Sequence, residues 1–137
     1  MPPTTEDDPQ PGAYRPYLSA RYPGVGKAPA EPIWRVLVHH KHLEQWKRIM
    51  ERCGESNANE LWEHLTTQPN QPPRLGTVTP MKGKQYAATS DGMSRVYHYE
   101  VTGGARVDYR FNAEYVTAPG EDKHRVVQII SIDLGSH

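Results

Sequence analysis

Apolar and polar residues alternate most regularly in the last third of the chain, along Ser94-Arg95-Val96-Tyr97-His98-Tyr99-Glu100-Val101, Ala105-Arg106-Val107-Asp108-Tyr109-Arg110-Phe111 and Arg125-Val126-Val127-Gln128-Ile129-Ile130-Ser131-Ile132. Period-two alternation rich in β-branched and aromatic residues predicts three strands. The first two are separated by Thr102-Gly103-Gly104, and a glycine pair supplies the positive φ of a tight hairpin. Far upstream, Ile33-Trp34-Arg35-Val36-Leu37-Val38 follows Pro32 and predicts a first strand. Between these regions the period changes. Leu43, Trp46, Met50 and Cys53 recur at steps of three and four, giving one apolar face of a helix that Gly54 would end. Asn57 with Glu60 three residues later resembles a capping box, and Ala58, Leu61, Trp62 and Leu65 form the buried stripe of a second helix, closed by Pro69, Pro72 and Pro73. A connection from Gln68 to about Gln85 carries Met81-Lys82-Gly83-Lys84. The order strand, helix, helix, three strands predicts a small α+β domain, with two helices packed on one face of a mainly antiparallel sheet. Trp34, Trp46 and Trp62 lie in apolar patterns and are expected in the core.

The first thirty residues break this pattern. They hold seven of the thirteen prolines and few aliphatic residues, so they bury too little apolar surface to offset the entropy of ordering. They are expected to form a flexible leader with few core contacts, in which Tyr14, Tyr17, Leu18 and Tyr22 are the side chains able to dock on the domain, and the domain itself spans 31–137. No basic start is followed by a continuous apolar run, and no stretch of eighteen apolar residues occurs, which predicts a soluble, cytoplasmic protein without a membrane partner. Cys53 is the single cysteine, so no internal disulfide is possible, and a small buried residue on a helix is its expected role. Sixteen basic residues balance sixteen acidic ones, and three of each sign fall in the first thirty, so the domain is neutral as well. That excludes a large non-specific electrostatic grip on nucleic acid and leaves only local phosphate binding.

Candidate chemistry lies on the sheet. Tyr97, Tyr99, Arg106, Arg110 and the terminal His137 sit on, or just beyond, adjacent strands, and such a set can hold phosphate and stack on bases. Alternate tyrosines also suit packing on a half-buried sheet face. Arg106 has a second reading, as a cross-strand partner of Asp108 or Glu100. His98 points to the face opposite Tyr97 and Tyr99, and Glu100 can act as a general base only on that second face. Lys82 and Lys84 flank Gly83 in a loop bordering the sheet. With Arg95 and Arg110 they are candidate contacts to an RNA backbone. The His39-His40-Lys41-His42 cluster has no cysteine or carboxylate at a convincing ligand spacing, so neither a metal nor another cofactor is expected.

Taken with the element order from Ile33 to His137, three local runs resemble the RelE/ParE toxin superfamily, and within it the RelE and YoeB-like messenger-RNA interferases. Trp62-Glu63-His64-Leu65 precedes a proline-rich turn. Met81-Lys82-Gly83 is similar to the family's Leu-Lys-Gly element. Gly104-Ala105-Arg106-Val107-Asp108-Tyr109 is similar to its Gly-x-Arg-(apolar)-x-Tyr signature. The final strand ends in Ile132-Asp133-Leu134-Gly135-Ser136-His137, where such proteins place a catalytic basic residue or histidine.

The resemblance implies a toxin of a type II toxin-antitoxin system, a metal-independent endoribonuclease that cuts messenger RNA on the ribosome and is bound by a cognate antitoxin. It implies that Arg106 contacts the scissile phosphate and that His137 protonates the leaving 5′ oxygen, chemistry suited to a planar guanidinium and an imidazole. Tyr97 and Tyr99 stand where RelE-type members carry two lysines, which puts tyrosine in their catalytic place. The same fold implies two other outcomes: a ParE-like poison of DNA gyrase without nuclease activity, or a binding protein that has kept only the scaffold.

Overall fold

The computed structural model describes residues 16–20, 22–23, 33–69, 78–102, 104–116, 120 and 122–135. Chain order is β1 (Tyr17–Ser19), β2 (Arg35–His39), a 3-10 turn (His40–His42), α1 (Leu43–Lys47), α2 (Ile49–Cys53), α3 (Glu55–Thr67), β3 (Val78–Pro80), a second 3-10 turn (Lys84–Tyr86), β4 (Tyr97–Thr102), β5 (Ala105–Tyr115) and β6 (His124–Asp133). Among the described residues, six strands form one sheet in the order β1-β2-β6-β5-β4-β3. Every pairing is antiparallel except that of β2 with β6. A parallel pair cannot be closed by a hairpin and needs a long crossover, which the three helices begin.

The protein is therefore α+β with a mostly antiparallel sheet, and it differs from the expected layout at three places. Tyr17–Ser19 falls in the stretch expected to be a leader, yet it forms an edge strand, pairing Tyr17 with His39 and Ser19 with Leu37. Tyr22 also docks: its ring meets Trp62 edge-on at 5.9 Å, and its hydroxyl donates to Asn59 Oδ1. The remainder of 1–32 lies outside the described residues. A further strand, β3, arises inside the expected connection and pairs with β4. Pro80 at its end lacks an N–H to donate, and it stands on an edge strand, where a proline is tolerated.

The third difference is in the helices. The stripe expected to make one helix is broken at Arg48 (φ −94°, ψ −2°) into α1 and α2. The break turns Ile49 inward, fully buried, and leaves Met50 partly exposed. Gly54 ends α2 as expected, at φ 93° with its N–H bonded to Met50 O at 2.9 Å. That positive φ favours glycine. The capping box does not form: α3 begins at Glu55, which puts Asn57 inside the first turn, where its Nδ2 donates to Cys53 O at 2.8 Å.

One main core lies between the helices and the sheet. Trp46, Ile49, Cys53, Ala58, Leu61, Trp62 and Leu65 meet Val36, Val38, Tyr99, Val101, Val107, Tyr109, Val127 and Ile129. Trp34, at the entry to β2, joins this core and contacts Phe111 edge-on at 5.8 Å. A smaller cluster of Leu37 and Val126, flanked by Tyr17 and Tyr115, occupies one end of the opposite sheet face. Among the described residues no helix is long and apolar enough to cross a membrane.

Candidate active site

Cross-strand pairs on β4, β5 and β6 decide which side chains share a face. Gly104 at φ 97° makes the turn into β5. Just before it the register shifts by one residue: Thr102 pairs with Ala105, but Glu100 pairs with Arg106, His98 with Asp108 and Tyr97 with Tyr109. Side chains of paired residues project to the same side of a sheet. Glu100, Arg106, His98 and Asp108 thus stand together on the face away from the helices, and Tyr97, Tyr99 and Tyr109 stand on the helix-facing side. On β6, Asp133 pairs with Arg106, Ser131 with Asp108 and Gln128 with Arg110, with an irregularity that absorbs Ile130.

The centre of this polar face is a hydrogen-bonded row across three strands. His98 Nδ1 lies 2.7 Å from Asp108 Oδ1, and Ser131 Oγ donates to Asp108 Oδ2 at 2.8 Å. Both carboxylate oxygens are occupied, and the imidazole is held by its Nδ1–H. The side chains of His98 and Asp108 keep 21% and 19% of their exposure, so the row is reachable from solvent. Arg106 and Arg110 flank Asp108 two positions away on either side, each roughly 7 Å along the strand. Arg106 is exposed and its Nε is 4.0 Å from Asp133, a contact of the kind that contributes little to stability. Arg110 Nε donates to Gln128 Oε1 at 3.1 Å. Beyond it, Asp91 is held below the usual carboxylate range, chiefly by the Thr89 hydroxyl and in smaller part by the Arg110 charge.

The expected site is therefore split. Arg106 and Arg110 share the polar face. Tyr97 and Tyr99 do not, and their pairing with Arg106 in one site is corrected: the one-residue shift between Glu100 and Thr102 turns them to the core. Tyr99 is 4% exposed and its ring lies tilted against His64 at 5.3 Å, and Tyr97 stacks over Tyr109 and Phe111 at 5.9 and 5.6 Å. Arg95 is also committed, since its guanidinium donates to Met81 O at 2.7 Å and Gly83 O at 3.3 Å. It therefore braces the loop that exposes Lys82 and Lys84. His137 lies outside the described residues. The last described segment is anchored close to Arg106, with Gly135 N–H bonded to Asp133 Oδ1 at 2.9 Å and Arg52 bonded to Gly135 O at 3.3 Å.

Sequence reasoning left Ser131 unassigned and saw Asp108 only as a partner for Arg106. It also missed a second polar set on the helix side. Tyr109 OH donates to Pro69 O at 3.1 Å, and His64 Nε2 lies 2.8 Å from the same hydroxyl. Because the phenol has one proton and spends it on Pro69, His64 must donate, which fixes the neutral Nε2–H tautomer. Burial pushes the His64 pKa down to about 4 and, helped by the nearby Tyr97 and Tyr99, pushes that of the Tyr109 phenol up.

A pH dependence follows from His64. Above pH 6.5 the imidazole is neutral in both folded and unfolded chains and adds no slope. Between pH 6.5 and about 4 only the unfolded chain takes up the proton, so stability falls as pH falls, by about 2–3 kcal/mol in all. Urea denaturation of wild type and His64→Gln across this window should show that extra loss in the wild type alone. Parallel curves would contradict it.

No protein-family model, curated protein or solved structure matches the chain. Among the described residues, no group of three or more His, Cys, Asp or Glu side chains is arranged to hold a metal ion.

Proposed function

We propose that the protein is a RelE-like toxin, a cytoplasmic endoribonuclease that cuts messenger RNA in the ribosome and is silenced by a cognate antitoxin. One observation carries this reading: Arg106, the residue that the resemblance makes the phosphate contact, stands exposed on an open polar face that also carries a hydrogen-bonded histidine and, beyond Asp108, a second arginine. The α+β architecture is compatible with it, since β2 is followed by the helices, then by the short edge strand β3, and then by β4, β5 and β6. The Leu-Lys-Gly-like loop is held against this sheet by Arg95 and presents Lys82 and Lys84 to solvent.

The reaction is transesterification. The substrate's 2′ oxygen attacks the adjacent phosphorus, the bond from phosphorus to the 5′ oxygen breaks, and a 2′,3′-cyclic phosphate and a 5′-hydroxyl result. A base must remove the 2′ proton, and an acid, His137 in this reading, must protonate the 5′ oxygen. Because the nucleophile is part of the substrate, no metal is needed to generate it. Arg106 opposes the charge that grows on the non-bridging oxygens, with Arg110 on the far side of Asp108. The domain's neutral charge fits an enzyme whose substrate is positioned by the ribosome rather than by a broad basic surface.

The test is the chemistry of the ends. Purified protein added to ribosomes programmed with a defined message should yield 5′ fragments ending in cyclic phosphate and 3′ fragments that require kinase treatment before ligation. Fragments with 5′-phosphate ends, or no fragments, would overturn the proposal.

A further inference from the structure

We infer that His98 is the general base that takes the 2′ proton, through Nε2. The assignment rests on the ribonuclease reading above and names a residue which that reading leaves open. Three observations carry it. The imidazole is fixed by a 2.7 Å hydrogen bond from Nδ1 to Asp108, whose other oxygen is in turn held by Ser131 at 2.8 Å, so ring orientation and tautomer are both set. With Nδ1 bearing the proton, Nε2 carries the lone pair, and among the described residues no hydrogen bond occupies it. The ring also lies on the face of Arg106, diagonal to it across the hairpin, roughly 7–8 Å between backbones, within reach of one bound phosphodiester.

The groups around His98 leave few competitors. Thr79 pairs with it from β3 and does not titrate. On its own strand Glu100 is exposed and sits opposite Arg106, whose positive charge holds it as a partner rather than as a base. On β5, Asp108 accepts from His98, and Arg106 and Arg110 are permanently charged donors that cannot take a proton. Histidine is also the side chain best matched to proton transfer near neutral pH.

In the step, the 2′ O–H bond breaks as the bond from the 2′ oxygen to phosphorus forms, and the proton goes to Nε2. The imidazolium so formed is stabilised across 2.7 Å by the Asp108 carboxylate. The 5′ oxygen leaves with the electron pair of its bond to phosphorus and is protonated by the separate acid. His98 returns its proton to solvent before the next turnover.

Two variants test this on the programmed ribosome. His98→Asn places an amide N–H where Nδ1–H was, keeping the bond to Asp108 and removing Nε2. His98→Ala opens a space that free imidazole can fill. Both should melt within a few degrees of wild type and cut about 10²–10⁴-fold more slowly, and added imidazole should restore part of the His98→Ala rate but none of that lost in Arg106→Ala. If wild type cuts and folded His98→Asn cuts equally fast, the assignment is overturned while the ribonuclease reading stands. A loss in His98→Ala that imidazole does not restore would make His98 a positioning residue and overturn its role as base. Should wild type leave messages whole, both fall together.

Discussion

Trp62→Ala should lower stability by about 3–5 kcal/mol and leave a domain of this size largely unfolded at 37 °C. Trp62 is 5% exposed at the centre of the main core, tilted against Trp46 at 6.2 Å and capped edge-on by Tyr22 at 5.9 Å. Truncation would open a large cavity between α3 and the sheet and unseat the segment around Tyr22, so collapse around the gap would be incomplete. Its Nε1 finds no acceptor among the described residues, and an unsatisfied buried donor costs about 1–3 kcal/mol. Trp62→Phe removes that donor along with some volume, and is expected to be much milder than Trp62→Ala. Thermal denaturation of the two variants checks the pair. Equal melting points for Trp62→Ala and wild type would mean that α3 does not dock as described.

Arg106→Ala should reduce cleavage by about a hundred- to a thousandfold while the melting point stays close to that of wild type. The two halves of this expectation come from the same geometry. Arg106 is exposed and its nearest ionic contact, to Asp133, is long and solvated, so little stability depends on it. In the proposed reaction its charge would act only when a phosphodiester lies on the face. Arg106→Lys should recover little, because an ammonium cannot hold two phosphate oxygens in one plane. Initial rates on a programmed message, read beside thermal melts, separate loss of chemistry from loss of fold.

The strands of the last third were legible because their alternation is nearly unbroken, and β4, β5 and β6 fall within a few residues of the runs that predict them. Which strand faces touch was not legible. A hairpin closed evenly around the Gly103-Gly104 pair would set Val101 opposite Arg106 and Tyr99 opposite Asp108, placing the tyrosines with the arginine. The register shift between Glu100 and Thr102 replaces that pairing with Glu100 opposite Arg106 and His98 opposite Asp108. A shift of one residue exchanges faces because the side-chain period is two, and no residue in Glu100-Val101-Thr102 announces it. The same kind of slip at Arg48 put Ile49 rather than Met50 into the core. The edge strand at Tyr17–Ser19 escaped notice because three residues carry no period, and because its pairing with β2 is a long-range contact that proline content does not report.

The central claim is that this polar face cleaves messenger RNA, and mapping 5′ ends of messages in bacteria after induction of the protein tests it most directly. Wild type should produce new 5′-hydroxyl ends in coding regions, phased with codons as ribosome-dependent cleavage demands. Cells expressing folded Arg106→Ala should show none of them and should keep growing. Messages that remain intact while DNA damage rises would point to a gyrase poison, and new ends that persist undiminished with Arg106→Ala would contradict the site described here.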